Sequence, residues 1–273
     1  MHPVAERNIA DYLDTADRVF GDRVVGLYVV GSIAYDAFRP YQSDIDLVVV
    51  LDEALAGDCN KMKRVQWLSH VKPGLRAAAR LKHKPSGCNA VYLAAASLAE
   101  PVTQIRPIGS HVAVRVNCGT AFDVNPVQWK TFAERGVAVR GPAVSALGLN
   151  PEPARLKQWN LDNLNDYWTW ASNKAATGKS PNSRLNGPRW STAWNVLGPT
   201  RLHHTIATGE IVTKEQAGEY ALEAFGTEWH PIIREGLACL RGKPSDPAFG
   251  DRTHRYQTLG AFGLRVIESA NAL

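Results

Sequence analysis

Hydrophobic and polar positions in the first half of the chain follow two different periods. Short apolar runs rich in β-branched residues predict strands over residues 23–30, 45–51, 88–93 and 111–117. Helical patterns separate these runs, beginning with residues 5–20, and Asn125-Pro126 and Gly136 predict the two ends of a further helix. Strands that alternate with helices indicate an α/β domain, which we place over residues 1–150.

The pattern becomes helical beyond Pro151 and Pro153. We predict helices over residues 154–176, 190–207, 228–240 and 251–269, with a loop over 177–188. One more helix begins at Thr213, where Gln216 follows three residues later as in a capping box. Six of the eight tryptophans lie in this half, which indicates a separate core. Residues 151–273 are therefore expected to form an all-α helical bundle.

Composition narrows the class of protein. The 273 residues are 45% hydrophobic and 21% charged, which is ordinary for a globular protein. No apolar stretch approaches the roughly 20 residues that span a bilayer, and the N-terminus lacks the features of a signal peptide. We therefore predict a cytoplasmic protein without a membrane partner. Its four cysteines show no zinc-site spacing and are expected to be free thiols.

The charge is mildly basic, with a net charge of +5 and a pI near 9.0. Eight lysines and arginines and no acid lie between Lys61 and Lys84. Such a run is typical of a solvated helical face, and the alternative is a patch that attracts a polyanion or a triphosphate. A nucleic-acid partner is therefore neither required nor excluded by the charge.

The segment from Leu27 to Leu51 carries the candidate chemistry. An apolar strand ends at Gly31-Ser32, and a second one opens at Ser43-Asp44-Ile45-Asp46. Because residues i and i+2 of a strand share a face, Asp44 and Asp46 are expected to project side by side.

Two adjacent carboxylates repel each other unless a cation lies between them. Mg²⁺ prefers oxygen ligands and often bridges to substrate phosphates, and two such ions can serve an in-line phosphoryl displacement. Gly31 permits close approach of the backbone to a phosphate, and Ser32 offers a hydroxyl and an N–H at the start of a predicted short helix. The segment therefore predicts a metal-dependent site for a nucleoside triphosphate.

These residues resemble the signature of polymerase-β-like nucleotidyltransferases. More narrowly, Arg39-Pro40-Tyr41 before Asp44 and Asp46 resembles the family of aminoglycoside nucleotidyltransferases that adenylylate streptomycin and spectinomycin. The resemblance continues into the helical half at the segments 124–129, 194–197, 201–202, 208–214 and 217–221.

The resemblance implies a polymerase-β-like catalytic domain followed by a helical bundle, with the active cleft between them. It implies that Asp44 and Asp46 bind Mg²⁺, expected to be two ions, while Gly31 and Ser32 contact phosphate. Arg201 and Lys214 match positions that reach the triphosphate. The implied reaction transfers AMP from ATP to a hydroxyl of a small molecule such as an aminoglycoside, a reaction associated with antibiotic resistance.

One position departs from the family pattern. Members usually carry a third carboxylate on a neighbouring strand, and the matching position here is Asn89, whose amide cannot accept a proton as a base. Three interpretations stay open: an engineered amide in place of a carboxylate, another base such as Asp123, or a relative that binds ATP without catalysis.

The acceptor region departs as well. The Trp and Asp arrangement of the drug-modifying enzymes is not evident over residues 177–191, where Arg184, Arg189 and Trp190 occur instead. Like charges repel, so two arginines argue against a polycationic drug. We expect a small hydroxylated acceptor, and the alternatives are transfer to RNA or protein and a catalytically silent ATP-binding protein.

Overall fold

A computed structural model describes residues 1–52, 59–79, 86–181 and 187–273. The chain divides into two compact units, Met1–Pro153 and Ala154–Leu273. The first unit contains a mixed sheet flanked by helices, and the second is helical. The predicted architecture, an α/β domain followed by an all-α region, is confirmed.

The described part of the first unit contains one six-stranded sheet in the order β5-β4-β3-β2-β1-β6. Strands β2 and β3 are parallel in register, so both start at the same edge of the sheet, and the other neighbouring pairs are antiparallel. The strands are β1 (Val24–Val30), β2 (Ile45–Leu51), β3 (Cys88–Ala94), β4 (Gly109–Val112), β5 (Arg115–Cys118) and β6 (Val137–Arg140).

Helices cover both faces of this sheet, because alternate residues of the central strands are apolar on each side. Helix α1 (Pro3–Phe20) packs on the face that carries Leu47 and Val49. Helix α4 (Pro126–Arg135) packs through Trp129 on the other face, which carries Val48. Between β2 and β3 lie α2 (Cys59–Gln66), a π-helical segment (Trp67–Val71) and α3 (Lys72–Ala79).

One strand prediction was wrong, and one strand was missed. The single strand predicted over residues 111–117 is a hairpin, in which Val112 pairs with Arg115 across a two-residue turn. Ala113 adopts a φ of 50° in this turn. Such turns usually contain glycine or asparagine, and because neither is present here, the sequence offered no sign of the turn. Strand β6 was not predicted, because its four residues follow directly on α4.

The expectation of four free thiols was also wrong. Cys59, at the start of α2, forms a disulfide with Cys118 of β5, with their Cα atoms 5.7 Å apart. Spacing along the sequence could not reveal this pair, because a separation of 59 residues is closed only by the fold. Cys88 and Cys239 are free and buried.

The second unit consists of helices around apolar cores. Residues 156–176 are helical throughout, with a π-helical segment at Leu164–Trp168. The capping box predicted at Thr213 is confirmed, since Gln216 N donates to the Thr213 hydroxyl and the Gln216 side chain accepts from Thr213 N. The helices are α5 (Leu156–Asn163), α6 (Thr169–Ala176), α7 (Gly187–Thr208), α8 (Lys214–Ala224), α9 (His230–Leu240) and α10 (Arg252–Asn271).

The last two residues of the predicted loop over 177–188 are helical, because α7 covers Gly187–Thr208. Residues 182–186 lie outside the described part of the chain. Within the described ranges, no helix is both long enough and apolar enough to cross a membrane.

Candidate active site

Asp46 occupies the second position of β2, next to Val30 of β1 on one side and Asn89 of β3 on the other. It is only half-buried, whereas Val48 and Val50 behind it are buried. Because alternate residues share a face, Asp46 projects from the same face as Val48, which is the face covered by α4. The strand thus presents one carboxylate at the edge of an otherwise apolar surface.

Gly31 packs directly against the Asp46 carboxylate. A Cβ atom built at Gly31 would lie 2.9 Å from Asp46 Cγ and 3.1 Å from Asp46 Cβ, and the Gly31 φ is +65°. Both the close approach and the left-handed backbone therefore require glycine at this position.

Asn89 is held by hydrogen bonds at both ends of its amide. Asn89 Oδ1 accepts from Ala113 N at 3.0 Å, which turns the amide NH₂ group towards Asp46. Asn89 Nδ2 donates to Asp46 Oδ1 at 3.2 Å. Gln66 Nε2 extends the chain of contacts by donating to Ala113 O at 2.8 Å. The β4–β5 turn and α2 thus fix the orientation of Asn89, and Asn89 fixes one oxygen of Asp46.

Asp44 lies one residue before β2 and is exposed. The turn before it is anchored, since Ser43 N donates to Arg39 O at 2.8 Å and Ser43 Oγ accepts from Arg39 N at 3.0 Å. Burial, and after it the charges of Asp46 and Asp44, raise the pKa of the Cys88 thiol. Both carboxylates therefore lie within electrostatic reach of the same sulfur at the start of β3.

Ser32 is partly exposed and makes no capping hydrogen bond through its side chain. The helix expected after it is a single 3-10 turn, Ile33–Tyr35. A turn of three residues aligns too few peptide dipoles to form an anion seat. The hydroxyl of Ser32 and the backbone of Gly31 are what this segment offers to a phosphate.

A small cavity of about 10 Å³, about the volume that one water molecule needs, lies beside Asp46. Its polar lining includes Asp46, Asn89, Asp123 and Gln128, and Trp129 borders it. Trp129 is 1% exposed, and its indole N–H has no hydrogen-bond acceptor among the described residues.

Asp123 is the second carboxylate of this cavity. Burial, and after it the negative charge of Asp46, raise the pKa of Asp123 to about 7. A carboxyl group whose pKa is raised by desolvation and a neighbouring charge is typical of functional sites. The sequence suggested Asp123 only as an alternative base, and the packing of α4 on the Asp46 face brings it there.

The described residues contain no group of three or more histidine, cysteine, aspartate or glutamate side chains arranged to hold a metal ion. Mg²⁺ is commonly bound by one or two carboxylates together with substrate phosphates, so Asp44 and Asp46 suit this ion in the presence of a nucleotide.

Arg201 and Lys214 belong to the second unit. Arg201 Nε donates to Val212 O at 2.9 Å, which fixes the arginine beside the segment that precedes α8. Lys214 is the first residue of α8, and its ammonium lies 5.1 Å from the centre of the Trp194 ring. Trp194 stacks on the exposed Trp190, with ring centres 5.1 Å apart.

The arginines predicted near the acceptor, and the cationic run, differ in what the structure shows of them. Arg189 donates to Ala238 O and to Ser245 Oγ, both at 3.2 Å, so its guanidinium holds the start of α7 against the residues at and after the end of α9. Arg184 lies outside the described residues, as do Arg80, Lys82 and Lys84 of the cationic run. Lys61 of that run contacts the Phe20 ring.

Sequence reasoning assigned no role to several uncharged residues that surround the carboxylates of the site. Gln66 and Ala113 act through hydrogen bonds to Asn89 and its neighbours, and Trp129 borders the cavity from α4. Trp129 lies in the segment 124–129 that resembles the family, but no role was assigned to it. Gln66 and Ala113 belong to no local motif, so the sequence gives no signal for their roles.

Comparisons with known proteins agree with this architecture. Residues 7–82 match the nucleotidyltransferase domain, and residues 174–258 match the C-terminal domain of aminoglycoside adenylyltransferases. The fold is similar to the crystal structure of spectinomycin adenyltransferase AAD(9) from Enterococcus faecialis with ATP and spectinomycin. The TM-score is 0.66 and the identity 12%, and the match covers 96% of this chain and 98% of that one. A search of curated proteins found no significant match.

The two matched domains follow each other in one chain, the first containing Gly31, Asp44 and Asp46 and the second containing Arg201 and Lys214. The structural match extends over nearly the whole length. The chain is thus similar to nucleotidyltransferases over residues 7–82 and to the C-terminal domain of aminoglycoside adenylyltransferases over residues 174–258.

Proposed function

We propose that this protein transfers AMP from ATP to a hydroxyl group of a small molecule in a Mg²⁺-dependent reaction. The observation that carries the proposal is the packing of the Asp46 carboxylate against Gly31, with Asp44 two residues earlier in the chain. The Gly31 backbone thus lies directly beside the carboxylate that would hold a cation, as the binding of a cation-bound phosphate at this place would require.

Asp44 and Asp46 would hold Mg²⁺ through their carboxylate oxygens, and two ions remain a prediction. When bound, the metal neutralises charge on the triphosphate and polarises the α-phosphorus. The Asn89 amide holds Asp46 Oδ1 through its hydrogen bond, which restricts the rotation of the carboxylate. A carboxylate fixed before the substrate arrives loses less freedom on binding.

The phosphates would be bound by groups of both sequence regions. The Gly31 backbone, which carries no side chain of its own, and the Ser32 hydroxyl would contact the phosphates. Arg201 and Lys214 supply positive charge that neutralises the leaving pyrophosphate. Arg201 Nε donates to Val212 O, and a guanidinium can bind a phosphate in bidentate fashion.

The acceptor is proposed to be a small hydroxylated molecule of the aminoglycoside class. The spectinomycin adenyltransferase with the similar fold was crystallised with ATP and spectinomycin, which makes spectinomycin the first probe. Arg189 donates to the uncharged groups Ala238 O and Ser245 Oγ and keeps its positive charge, which argues against polycationic drugs. Streptomycin is the second probe because it tests this argument.

The test measures AMP transfer from radiolabelled ATP with Mg²⁺ to a panel of aminoglycosides and related natural products, with product mass as the second readout. Asp44→Asn is expected to abolish transfer because it removes a metal ligand. Asp52→Asn is the matched control, since Asp52 is equally exposed and directly follows the far end of β2. Equal activity in both variants would remove Asp44 from the metal site.

Two other outcomes point to the alternatives. Transfer to RNA or protein but to no small molecule, with a steep dependence on salt, would favour a macromolecular acceptor. ATP binding without transfer to anything, even in Asn89→Asp, would favour a silent ATP-binding protein.

A further inference from the structure

The family position for a third carboxylate is filled by Asn89, which leaves the proposed reaction without a proton acceptor at that place. Both ends of the Asn89 amide are engaged, one with Ala113 N and the other with Asp46 Oδ1. Its nitrogen has no lone pair to take a proton, and its oxygen already accepts a hydrogen bond. Asn89 therefore orients Asp46 and does not act as a base.

Asp123 is the other carboxylate that lines the cavity containing Asp46 and Asn89. It lies three residues before α4, the helix that packs on the sheet face carrying Asp46, and is not part of the sheet. The residue is half-buried.

The turn that carries Asp123 is held on both sides. Val124 N donates to Ala121 O at 3.2 Å, and Asn125 Nδ2 donates to Phe122 O at 2.8 Å. The Asn125 side chain also caps α4 by accepting from Gln128 N at 3.0 Å. Asp123 is thus fixed relative to the helix that packs on the face of Asp46, and a catalytic group needs such a fixed position.

We propose that Asp123 is the general base of the transfer reaction and supplies the carboxylate that Asn89 does not. The inference rests on the proposed function. In the step, the O–H bond of the acceptor breaks and its proton passes to the Asp123 carboxylate. The acceptor oxygen bonds to the α-phosphorus, and the bond from that phosphorus to the bridging oxygen breaks, so pyrophosphate leaves with the electron pair.

The experiment moves the carboxylate from one side of the cavity to the other. Single-turnover AMP transfer is measured for the wild-type chain, Asp123→Asn, Asn89→Asp and the double variant Asn89→Asp/Asp123→Asn, with Asp52→Asn as the control for a lost surface charge. ATP affinity and circular dichroism are measured for each variant. Asp123→Ala with added sodium formate provides an independent test for a missing base.

The inference predicts that Asp123→Asn lowers the transfer rate about 100-fold or more while ATP affinity stays within a few-fold. The double variant or added formate should restore a large part of the rate, because either one returns a carboxylate to the cavity. A structural role would not be rescued by a carboxylate at another position.

Several results would overturn the inference while the transferase assignment stands. These are an Asp123→Asn rate close to the wild-type rate, a loss that neither position 89 nor formate restores, and transfer by Asn89→Asp but not by the wild-type chain. If neither the wild-type chain nor Asn89→Asp transfers AMP to any acceptor, the proposed function fails, and the role of Asp123 fails with it.

Discussion

Replacement of Gly31 by alanine tests whether the position of the Asp46 carboxylate controls activity. An alanine Cβ would lie 2.9 Å from Asp46 Cγ, well inside van der Waals contact, so the carboxylate must move. The new residue must also adopt a φ near +65°, which costs an L-residue about 1–2 kcal/mol. A displacement of about 1 Å at a reacting group can lower a rate about 100-fold.

Gly148 provides the matched control in the same unit. Its φ is also +65°, but a Cβ there would meet only Ala99 Cβ at an ordinary 3.7 Å. Gly148→Ala should therefore lose about 1–2 kcal/mol in urea unfolding, and Gly31→Ala should lose at least as much because the Asp46 carboxylate must also move. Gly31→Ala alone should lose AMP transfer and the binding of Mn²⁺ in the presence of ATP, which electron paramagnetic resonance measures. Equal activity of the two variants would refute a role for this packing.

Two further predictions concern charge. Because the pKa of Asp123 is raised from 3.8 to about 7 in the folded chain, the native state keeps a proton that the unfolded state releases, so stability falls as pH rises from about 4 to 7. Asp123→Asn should remove this fall and stabilise the metal-free protein above pH 7 by up to about 4 kcal/mol, with little effect below pH 4. Urea unfolding at pH 4 and pH 8 measures this, and an equal effect at both pH values would contradict it. Lys214→Gln should weaken ATP binding, as measured by calorimetry. The temperature of thermal unfolding should change little, because a cation in the first turn of α8 is unfavourable for the helix dipole. Unchanged ATP affinity would remove Lys214 from the nucleotide site.

Local signals in the sequence were sufficient for much of the fold. The caps at Asn125 and Thr213 are short-range hydrogen bonds, so the residues that form them are adjacent in sequence and were predicted. The apolar runs of β1, β2 and β3 likewise predicted these strands. The β4–β5 hairpin was missed because Ala113 turns the chain without a glycine or asparagine.

The candidate site was predictable only where it is carried by consecutive residues. Gly31, Asp44 and Asp46 lie within one strand–turn–strand segment, so their spacing indicated their proximity. The placement of Asp123 beside Asp46 depends on which face of the sheet α4 covers, and periodicity does not specify that choice. The roles assigned to Arg201 and Lys214 stay predictions that rest on the resemblance.

The pairing of β1 with β6 has a consequence for how the catalytic unit can be divided. Leu27 of β1 pairs with Arg140, and the Arg140 guanidinium also forms an ion pair with Asp17 of α1. A fragment ending at residue 82, where the match to the nucleotidyltransferase domain ends, would lack β3 and β6. Both β1 and β2 would then be exposed edges rich in valine, which are prone to pair with other chains and aggregate. The smallest autonomous piece must therefore extend at least to Arg140, and its folding requires a contact across more than a hundred residues before the sheet is closed.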